Sequence, residues 1–577
     1  MGRDRTEISL WVDARKPGNQ SIRCSGELEA LGGVAIRFLF PVWTPGSYLI
    51  REFSKNLMGL TFRLDGGEVP FAQVSKNEWM VAPEKGGRLR WEYELHCGEL
   101  SVRTNYASDR LVLLNACATF LLPWEQEAPR FGLEVLVPEG WKVACPLPPR
   151  EGAEGSYVAE DVDTLLDSPL LMGELEERRF EVDGVPHLLS FVGAEDSVMD
   201  RVSAALEKGV PVTREVFGGE LPYPSYHGLF VFDKGGSGGL EHANSFVVHY
   251  PRDRCHSEKD LLRLLSLNAH EHFHAWNVKR IRPTGLERYD YFKENYTTGL
   301  WLSEGFTSYY QDKVLYRAGL MGRTEFLDAL SQQWNRLLTI PGRKEQTLRQ
   351  ASFDAWIRLY RADENTVNST VSYYLKGAIA AFALDVLIQK HSAGKHSLDD
   401  VMRGLWKDYL DQGPGQSEAL VFELCSKFAG RDLGEELELL IGGTEDPPLL
   451  EWCEGLGLCY VQEKGKAGSG GGRPWFGFDA KENGGRLSIK QVRRGSPAWE
   501  AMLLPGDELV AIAGRRVEAP LEAFLQSLGL ELGEPVLFEV ARRGALHRVR
   551  VRPGVCPHPR GNFRDAGSPR FCAAQES

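Results

Sequence analysis

The spacing of apolar residues changes along the chain. Over residues 1–175, apolar and polar residues alternate in short runs such as TEISLWVDA and RLRWEYELHC, with Gly, Pro and Asp between the runs. Short runs of this kind are typical of strands in an antiparallel β-sandwich. From about residue 196 the apolar spacing becomes helical, and we expect a mostly helical domain over residues 176–455.

A third pattern follows a glycine-rich stretch. Residues 456–474 include KGKAGSGGGRP, which is too rich in glycine to form a packed element and is predicted to be a linker. Residues 475–553 then combine the strand-like runs LSIKQV and VLFEVARR with a helix-like run, PLEAFLQSL, and indicate a small third domain. Residues 554–577 are polar and have no apolar period, so we expect a disordered tail. The predicted fold class is therefore multidomain α+β.

Three histidines and a glutamate lie close together in HEHFHAWNVKR, residues 270–280. On a helix His270 and His274 share one face, whereas His272 turns away. Two imidazoles one turn apart can chelate one zinc ion, and Glu271 can then act as general base toward a water molecule beside the metal. The alternative is a helix that carries these histidines by chance, and a third ligand would decide between the two.

A candidate third ligand lies thirty residues further on, in WLSEGFTSYYQDKVL. There Glu304 stands between Trp301 and Phe306 at the start of a predicted helix. A carboxylate among apolar residues is costly to bury unless it is paired or binds a metal, although a glutamate at a helix start also interacts favourably with the helix dipole. With His270 and His274 it predicts one zinc per chain with an open coordination position, as in catalytic zinc sites.

The composition narrows the class of partner. A net charge of −13 argues against nucleic acid, whose phosphates such a surface would repel. The first residues have no apolar run behind their basic residues, and no stretch of eighteen apolar residues occurs, so we expect neither a signal peptide nor a membrane span. The ten cysteines form no C-x-x-C pair and are typical of a reduced, cytoplasmic protein.

The motifs together resemble a known family. HEHFH paired with WLSEGFT is similar to the gluzincin metallopeptidases, and more narrowly to their glycyl aminopeptidase-type family with a C-terminal PDZ domain. VWTPGSYLIREF at 42–53 resembles that family's sandwich signature, and GGSGGLEHANS at 235–245 stands where related aminopeptidases carry a Gly-x-Met-Glu-Asn element. SYYLKGAIAAFALDVLI at 372–388 resembles the family's Tyr-x-Lys-Gly helix. The likeness extends to about residue 553 and implies a thermolysin-like catalytic domain.

The resemblance also implies roles for individual residues. Tyr374 would donate a hydrogen bond to the oxyanion of the reaction, with the adjacent Tyr373 as its rival. Glu241, which follows Gly238 and Gly239, would bind the α-ammonium group of a peptide substrate. The implied activity is that of a zinc aminopeptidase that removes small N-terminal residues, Gly or Ala, from peptides.

The third domain has its own resemblance. RRGSPAWEAMLLPGDELVAIAGRRV is similar to PDZ domains of the bacterial protease type. In such domains a peptide adds as a strand and its terminal carboxylate is held by a loop, here Phe476, Gly477 and Phe478. A C-terminal peptide is thus the implied ligand; alternatively the domain only packs against the catalytic domain.

Two other functions compete with the aminopeptidase. A zinc endopeptidase would need an open cleft with nothing to anchor the amino group of the substrate. A catalytically inactive PDZ adaptor would bind peptides without cleaving them, but such a protein has no need to retain the general base Glu271 beside the ligands.

Overall fold

The computed structural model describes residues 7–124, 129–462, 474–558, 560–566 and 571. The chain divides into two compact units. The first consists of Met1–Thr297, Tyr310–Met321 and Met402–Ser417, and the second of Thr298–Tyr309, Gly322–Val401 and Glu418–Ser577.

The N-terminal part of the first unit is built from strands, as the alternating pattern predicts. The elements are β1 (Glu7–Asp13), β2 (Ser21–Ala30), β3 (Ile36–Leu39), β4 (Leu57–Leu64), β5 (Gly67–Glu68), β6 (Phe71–Ser75), β7 (Glu78–Val81), β8 (Gly87–His96), β9 (Tyr106–Ala107), β10 (Leu111–Leu114), β11 (Leu122–Trp124), β12 (Arg130–Leu136), β13 (Lys142–Ala144), β14 (Ser156–Ala159), α1 (Val162–Leu166) and β15 (Leu170–Gly173).

These strands form a seven-stranded sheet in the order β14-β12-β1-β2-β8-β4-β5 and two four-stranded sheets, β11-β3-β7-β6 and β13-β15-β10-β9. Aromatic rings from the facing sheets pack edge to face: Phe38 of β3 lies 4.9 Å from Trp91 of β8. The expected antiparallel pattern has one exception, because β1 pairs in parallel with β12. These two strands lie more than a hundred residues apart in the chain, so no hairpin turn fixes their relative direction.

The region after residue 175 begins with a sheet that the helical pattern does not predict. Its strands are β16 (Glu176–Val182), β17 (Val185–Val192), β18 (Tyr226–Asp233), β19 (Gly238–Glu241) and β20 (Ser245–Pro251), in the order β16-β17-β18-β20-β19. The side chains of Val231, Leu240 and Val247 on this sheet share one buried cluster with Leu113 and Leu171 of β10 and β15. The edge strand β19 is thus held against the N-terminal sheets by a common core.

Helices follow, as predicted. They are α2 (Asp196–Val216), α3 (Glu258–Phe273), α4 (Thr307–Arg317), α5 (Arg323–Leu338), α6 (Leu348–Phe353), α7 (Thr366–Ser369), α8 (Tyr373–His391), α9 (Leu398–Gln412), α10 (Glu418–Ala429), α11 (Gly434–Ile441) and α12 (Leu449–Glu454). A π-helical segment, Trp301–Phe306, runs directly into α4. Within the described ranges one stretch, Thr366–His391, is long and apolar enough to cross a membrane, but 83% of its most apolar window is buried, as in a core helix.

The C-terminal part of the second unit has its own core around Phe476, Phe524 and Phe538. Its elements are β21 (Leu458–Gln462), β22 (Pro474–Trp475), β23 (Phe478–Asn483), β24 (Arg486–Val492), α13 (Pro497–Glu500), β25 (Glu508–Ile512), β26 (Arg515–Arg516), α14 (Leu521–Ser527), β27 (Val536–Arg542), β28 (Ala545–Val551), β29 (Gly554–Val555) and β30 (Gly561–Asp565). β23, β24, β25, β27 and β28 are neighbours in one sheet, and β26 pairs with β25.

Two predicted boundaries in this region are wrong. The expected disordered tail contains β30, which pairs with β21, and Phe563 on β30 is fully buried. β21 itself lies inside the segment predicted to be a linker, while the Gly-rich residues 463–473 lie outside the described part of the chain. Burial of the apolar side chains of Leu458, Phe563 and Phe571 explains why these segments are ordered.

Candidate active site

The helix α3 presents the histidine motif at its C-terminal end. Ser257 caps its start by accepting a hydrogen bond from the amide of Asp260, and apolar residues such as Leu264 bury one face. His270, Glu271 and His274 are all buried, and the imidazole rings of His270 and His274 stand edge to face, 4.6 Å apart. The predicted sharing of one helix face is therefore confirmed.

Hydrogen bonds fix the tautomer of both histidines. Nδ1 of His270 lies 2.9 Å from Oε1 of Gln311, and Nδ1 of His274 lies 2.7 Å from the carbonyl oxygen of Asn277. Because these oxygens can only accept, each Nδ1 carries the proton and each Nε2 keeps a lone pair for a metal ion. Gln311 had no signal in the sequence pattern.

His270, His274 and Glu304 are close enough to share one metal ion. One ligand atom from each lies within 4.8 Å of the other two, and all three side chains are buried. Two imidazole nitrogens and a carboxylate oxygen form a donor set that zinc accepts. Glu241, Glu271 and His274 form a second group with the same spacing, so the carboxylates of Glu241 and Glu271 lie beside the same histidine. Two buried carboxylates so close together favour a bound cation.

His272 lies outside this group, as predicted. Its Nε2 lies 2.7 Å from the hydroxyl of Tyr223, which in turn lies 3.2 Å from Nε2 of His187. Burial lowers the pKa of His272 to about 3 and that of His187 to about 4. Both rings are therefore neutral near pH 7 and belong to a buried hydrogen-bonded chain.

Two glycines make room for the acidic groups. A Cβ atom at Gly239 on β19 would lie 2.0 Å from Oε1 of Glu271, and a Cβ atom at Gly46 would lie 2.4 Å from Oε1 of Glu241. Only a residue without a side chain allows such close approach of the backbone. Gly46 belongs to the TPGS segment of the N-terminal domain, so that domain forms one wall of the Glu241 site. The second glycine of the predicted substrate loop, Gly238, precedes Gly239 on the same strand.

A buried ionic network fixes the segment after Glu241. Asp167 accepts hydrogen bonds from Nζ of Lys279 at 2.6 Å and from the amide of Ala243 at 2.7 Å, and its other contact is Nδ1 of His242 at 3.0 Å. Burial would raise the pKa of Asp167, but the charge of Lys279 and the bond to His242 hold it well below its usual range. Asp167 and Lys279 were not predicted as site residues, because they lie far apart in the chain and match no motif.

Tyr374 has the properties of a neutral hydrogen-bond donor. Desolvation, reinforced by the charge of Glu304, raises the pKa of Tyr374 well above its ordinary value, so its hydroxyl keeps the proton. Its ring stacks on that of Tyr373 at 4.9 Å, and its hydroxyl lies 3.3 Å from that of Tyr360, which sequence reasoning missed. Tyr373 is fully buried, whereas part of Tyr374 is exposed. The accessible side chain is the better candidate for contact with substrate.

Not all of the residues predicted to hold a peptide carboxylate can contact a ligand. The side chain of Phe476 is buried in the core of the C-terminal part, so it does not line a groove. Gly477 has a φ of +80° and packs directly on Ser496, which explains why glycine stands there. Phe478 begins the edge strand β23.

Two stretches of the chain match models of known protein families. Residues 263–380 match the model of the M61 glycyl aminopeptidase family, and residues 9–174 match that of the Peptidase M61 N-terminal domain. Both matches are to models of one peptidase family, which supports a peptidase. Over these two stretches the chain is similar to the M61 glycyl aminopeptidase family.

One solved structure has the same fold over nearly the whole chain. An aminopeptidase N family protein from Idiomarina loihiensis is 28% identical, with a TM-score of 0.91 over 97% of this chain and 98% of its own. An M1 zinc metallopeptidase from Deinococcus radiodurans is 17% identical, with a TM-score of 0.48 over 77% of this chain and 95% of its own. No curated protein matches the sequence.

Proposed function

We propose that the protein is a zinc-dependent aminopeptidase that removes small N-terminal residues from peptides. The observation that carries the proposal is the close grouping of Glu241, Glu271 and His274, whose ligand atoms lie within 4.8 Å of one another. This grouping places Glu241, which would bind the α-ammonium group of the substrate, beside the proposed general base Glu271 and the proposed metal ligand His274. The family description, glycyl aminopeptidase, supports a small first residue.

In this proposal His270, His274 and Glu304 hold one zinc ion, which would polarise the scissile carbonyl and acidify a water molecule. The buried carboxylate of Glu241 pairs with the α-ammonium group of the substrate and so selects the first peptide bond. Glu271 accepts the proton of the attacking water and later delivers it to the leaving amine. Tyr374 donates its hydroxyl hydrogen to the developing oxyanion, which its raised pKa favours at neutral pH.

An endopeptidase is the competing function. It gains nothing from a carboxylate such as Glu241, which is 3% exposed and whose Oε1 has no hydrogen-bond partner among the described residues. A buried carboxylate oxygen without a hydrogen-bond partner is costly, and an ammonium group of the substrate would offset that cost.

The test compares free and N-acetylated glycyl and alanyl anilides with wild type, Glu241→Gln and Glu271→Gln. We expect acetylation to block cleavage, Glu241→Gln to lower kcat/KM about thirtyfold or more, and Glu271→Gln to lower turnover at least about 100-fold with zinc retained. Efficient cleavage of acetylated substrates, with Glu241→Gln unaffected, would instead identify an endopeptidase.

We further propose that residues 475–553 form a PDZ domain that binds C-terminal peptides along β23. Support comes from the edge position of β23, the tight turn at Gly477 and the helix α14, whose Phe524 belongs to the core against which Phe478 of β23 packs. The competing role is packing alone: Nδ2 of Asn368 on α7 donates to the carbonyl oxygen of Val492, and its Oδ1 accepts from the amide of Arg494. Fluorescence polarisation would compare the binding of a peptide with that of its C-terminally amidated form, and we expect only the free carboxylate form to bind. Equal binding of both forms, or of neither, would refute carboxylate recognition.

A further inference from the structure

An arginine of the N-terminal domain lies at the strand that borders the site. Nη2 of Arg103 lies 3.4 Å from the carbonyl oxygen of Gly239, a long hydrogen bond. Its Nη1 lies 3.4 Å from the point where a Cβ atom of Gly238 would be. The guanidinium group therefore reaches the edge strand β19 next to Gly239, whose missing side chain makes room for Glu271.

The loop that carries Arg103 is held in place. The amide of Arg103 donates to Oγ of Ser101, and the hydroxyls of Ser101 and Thr104 lie 2.7 Å apart. Val102 is buried in the cluster that also contains Leu240 of β19. Bonds of this kind fix the backbone of the loop before any ligand arrives.

The same loop is tied to the wall of the Glu241 site. Nδ2 of Asn115 contacts both the carbonyl oxygen of Val102, at 3.4 Å, and Oγ1 of Thr44, at 3.3 Å. Thr44 stands two residues before Gly46, which packs against Glu241. The side chain of Asn115 thus links the loop of Arg103 to the loop of Gly46, which packs against Glu241.

Arg103 is a cation without an anion. Its Nε is buried and has no hydrogen-bond partner, and no carboxylate forms an ion pair with it in the described part of the chain. Arg343, by contrast, is bound to the carboxylate of Asp446 at 2.8 Å. A guanidinium group with a buried, unpaired nitrogen is suited to a planar anion such as a carboxylate.

The order of these groups along β19 matches the two ends of a short peptide. Glu241 stands at one end of the strand, and Gly239, beside Glu271, follows two residues away on the same face. Arg103 lies beside Gly238 on the opposite face and reaches the carbonyl oxygen of Gly239, so a peptide lying along the strand could contact both faces. From residue 241 to residue 238 the strand spans about 10 Å at about 3.3 Å per residue. An extended dipeptide spans about 7 Å between its terminal charged groups, and side chains at both ends cover the difference.

We infer that Arg103 binds the α-carboxylate of the substrate, so that the enzyme recognises both ends of short peptides and acts best on dipeptides. This inference rests on the proposed aminopeptidase function and adds the length and the charge of the substrate. Glu241 and Arg103 then act as a pair of opposite charges on either side of the scissile bond. Positioning at both ends aligns that bond with Glu271.

The experiment measures kcat/KM for Gly-Ala and for its C-terminal amide, Gly-Ala-NH2, with the zinc-loaded enzyme. We expect wild type to prefer the free carboxylate by about tenfold or more, the scale of a charge-assisted hydrogen bond. Arg103→Gln should remove most of that preference, and Arg103→Lys should keep part of it. The matched control Arg63→Gln, an exposed arginine in the N-terminal sheet, should leave the preference unchanged.

Equal rates for the two substrates with wild type, or an unchanged preference in Arg103→Gln, would overturn the role of Arg103 and leave the aminopeptidase intact. A loss of the same size for both substrates in Arg103→Gln would assign Arg103 to a backbone carbonyl and also overturn the inference. The wild-type comparison stands even if Arg103→Gln is unstable. If zinc-loaded wild type cleaves neither substrate nor a glycyl anilide, the proposed function itself fails.

Discussion

Gly305 and Gly377 bring two elements of the site into backbone contact. A Cβ atom on Gly305 would lie 2.5 Å from the Cα atom of Gly377 and 3.0 Å from the carbonyl oxygen of Tyr373. Gly305 follows Glu304 in the π-helical segment, and Gly377 lies one turn after Tyr374 on α8. The two glycines therefore set the separation between a predicted metal ligand and the predicted oxyanion donor.

Gly377→Ala should drive these two elements apart. Its Cβ atom would meet the Cα atom of Gly305 at 2.8 Å and the carbonyl oxygen of Trp301 at 3.1 Å, and backbone cannot yield as a side chain can. Overpacking of this kind costs about 1–3 kcal/mol, so Tm and kcat should both fall. Gly18→Ala, where a Cβ atom meets nothing within 4 Å, is the control. Unchanged Tm and kcat in Gly377→Ala would contradict the tight contact.

Gly239→Ala tests the space around the general base. The new Cβ atom would lie 2.0 Å from Oε1 of Glu271 and must push the carboxylate aside. We expect a loss in kcat/KM of about 100-fold, the scale of losing the base, with metal content retained. In the neighbouring variant Gly238→Ala the nearest atom is 3.4 Å away, so the loss should be much smaller. Equal losses in the two variants would show that the strand as a whole, and not Glu271, is disturbed.

Tyr374→Phe and Tyr373→Phe distinguish the two tyrosines. Removal of the hydroxyl of Tyr374 takes away a donor to the oxyanion and should lower kcat by about 10²–10³. Tyr373 is fully buried, so its loss should affect Tm more than kcat. The measurement is single-substrate kinetics beside thermal melting. A larger fall in kcat for Tyr373→Phe would reverse the assignment.

Acidification should destabilise the fold through His187. Its pKa of about 4 lies below the ordinary value of 6.5, so the unfolded chain binds the proton first as the pH falls. The stabilising contribution is complete above pH 6.5 and is lost progressively toward pH 4, by about 1.4 kcal/mol per pH unit. His187→Gln should therefore show a smaller drop in Tm than wild type between pH 7 and 5. His547→Gln, at an exposed position, should behave as wild type.

Phe563→Ala tests whether the C-terminal strand is structural. Phe563 is fully buried, and its ring packs on Phe382 of α8 at 5.4 Å and on Tyr460 of β21 at 5.2 Å. Truncation of a buried Phe costs about 3–5 kcal/mol, so Tm should fall clearly. Val461→Ala, 53% exposed on the paired strand, should have little effect. If Phe563→Ala melts as wild type does, the strand contributes little to stability.

The sequence could predict the part of the site that depends on local spacing. His270 and His274 share a face because one helical turn separates them, and their orientation needs no distant contact. Gln311, Asp167 and Tyr360 reach the site only through tertiary packing, so no spacing in the sequence identifies them. The roles of Gly46 and Gly239 are likewise tertiary, since each glycine makes room for a carboxylate from another element.

The fold was predictable where one period dominates a segment. The alternation in β8, with Leu89, Trp91, Tyr93 and Leu95 buried, is clear from sequence alone. The strands β17, β18 and β20 were missed because most of their residues are buried on both faces, so apolar and polar residues do not alternate regularly along them. The strand β30 was missed because its single buried anchor, Phe563, stands among polar residues.

The pairing of β21 with β30 makes the C-terminal part an insertion. The register runs from Leu458 opposite Asp565 to Gln462 opposite Gly561, so the two ends of residues 463–560 start side by side, about 5 Å apart. A two-residue turn could close the same pair of strands as a hairpin. Residues 463–560 are thus inserted between two strands, β21 and β30, that pair with each other. A replacement of this segment that keeps Phe563 would leave the pairing of β21 with β30 in place.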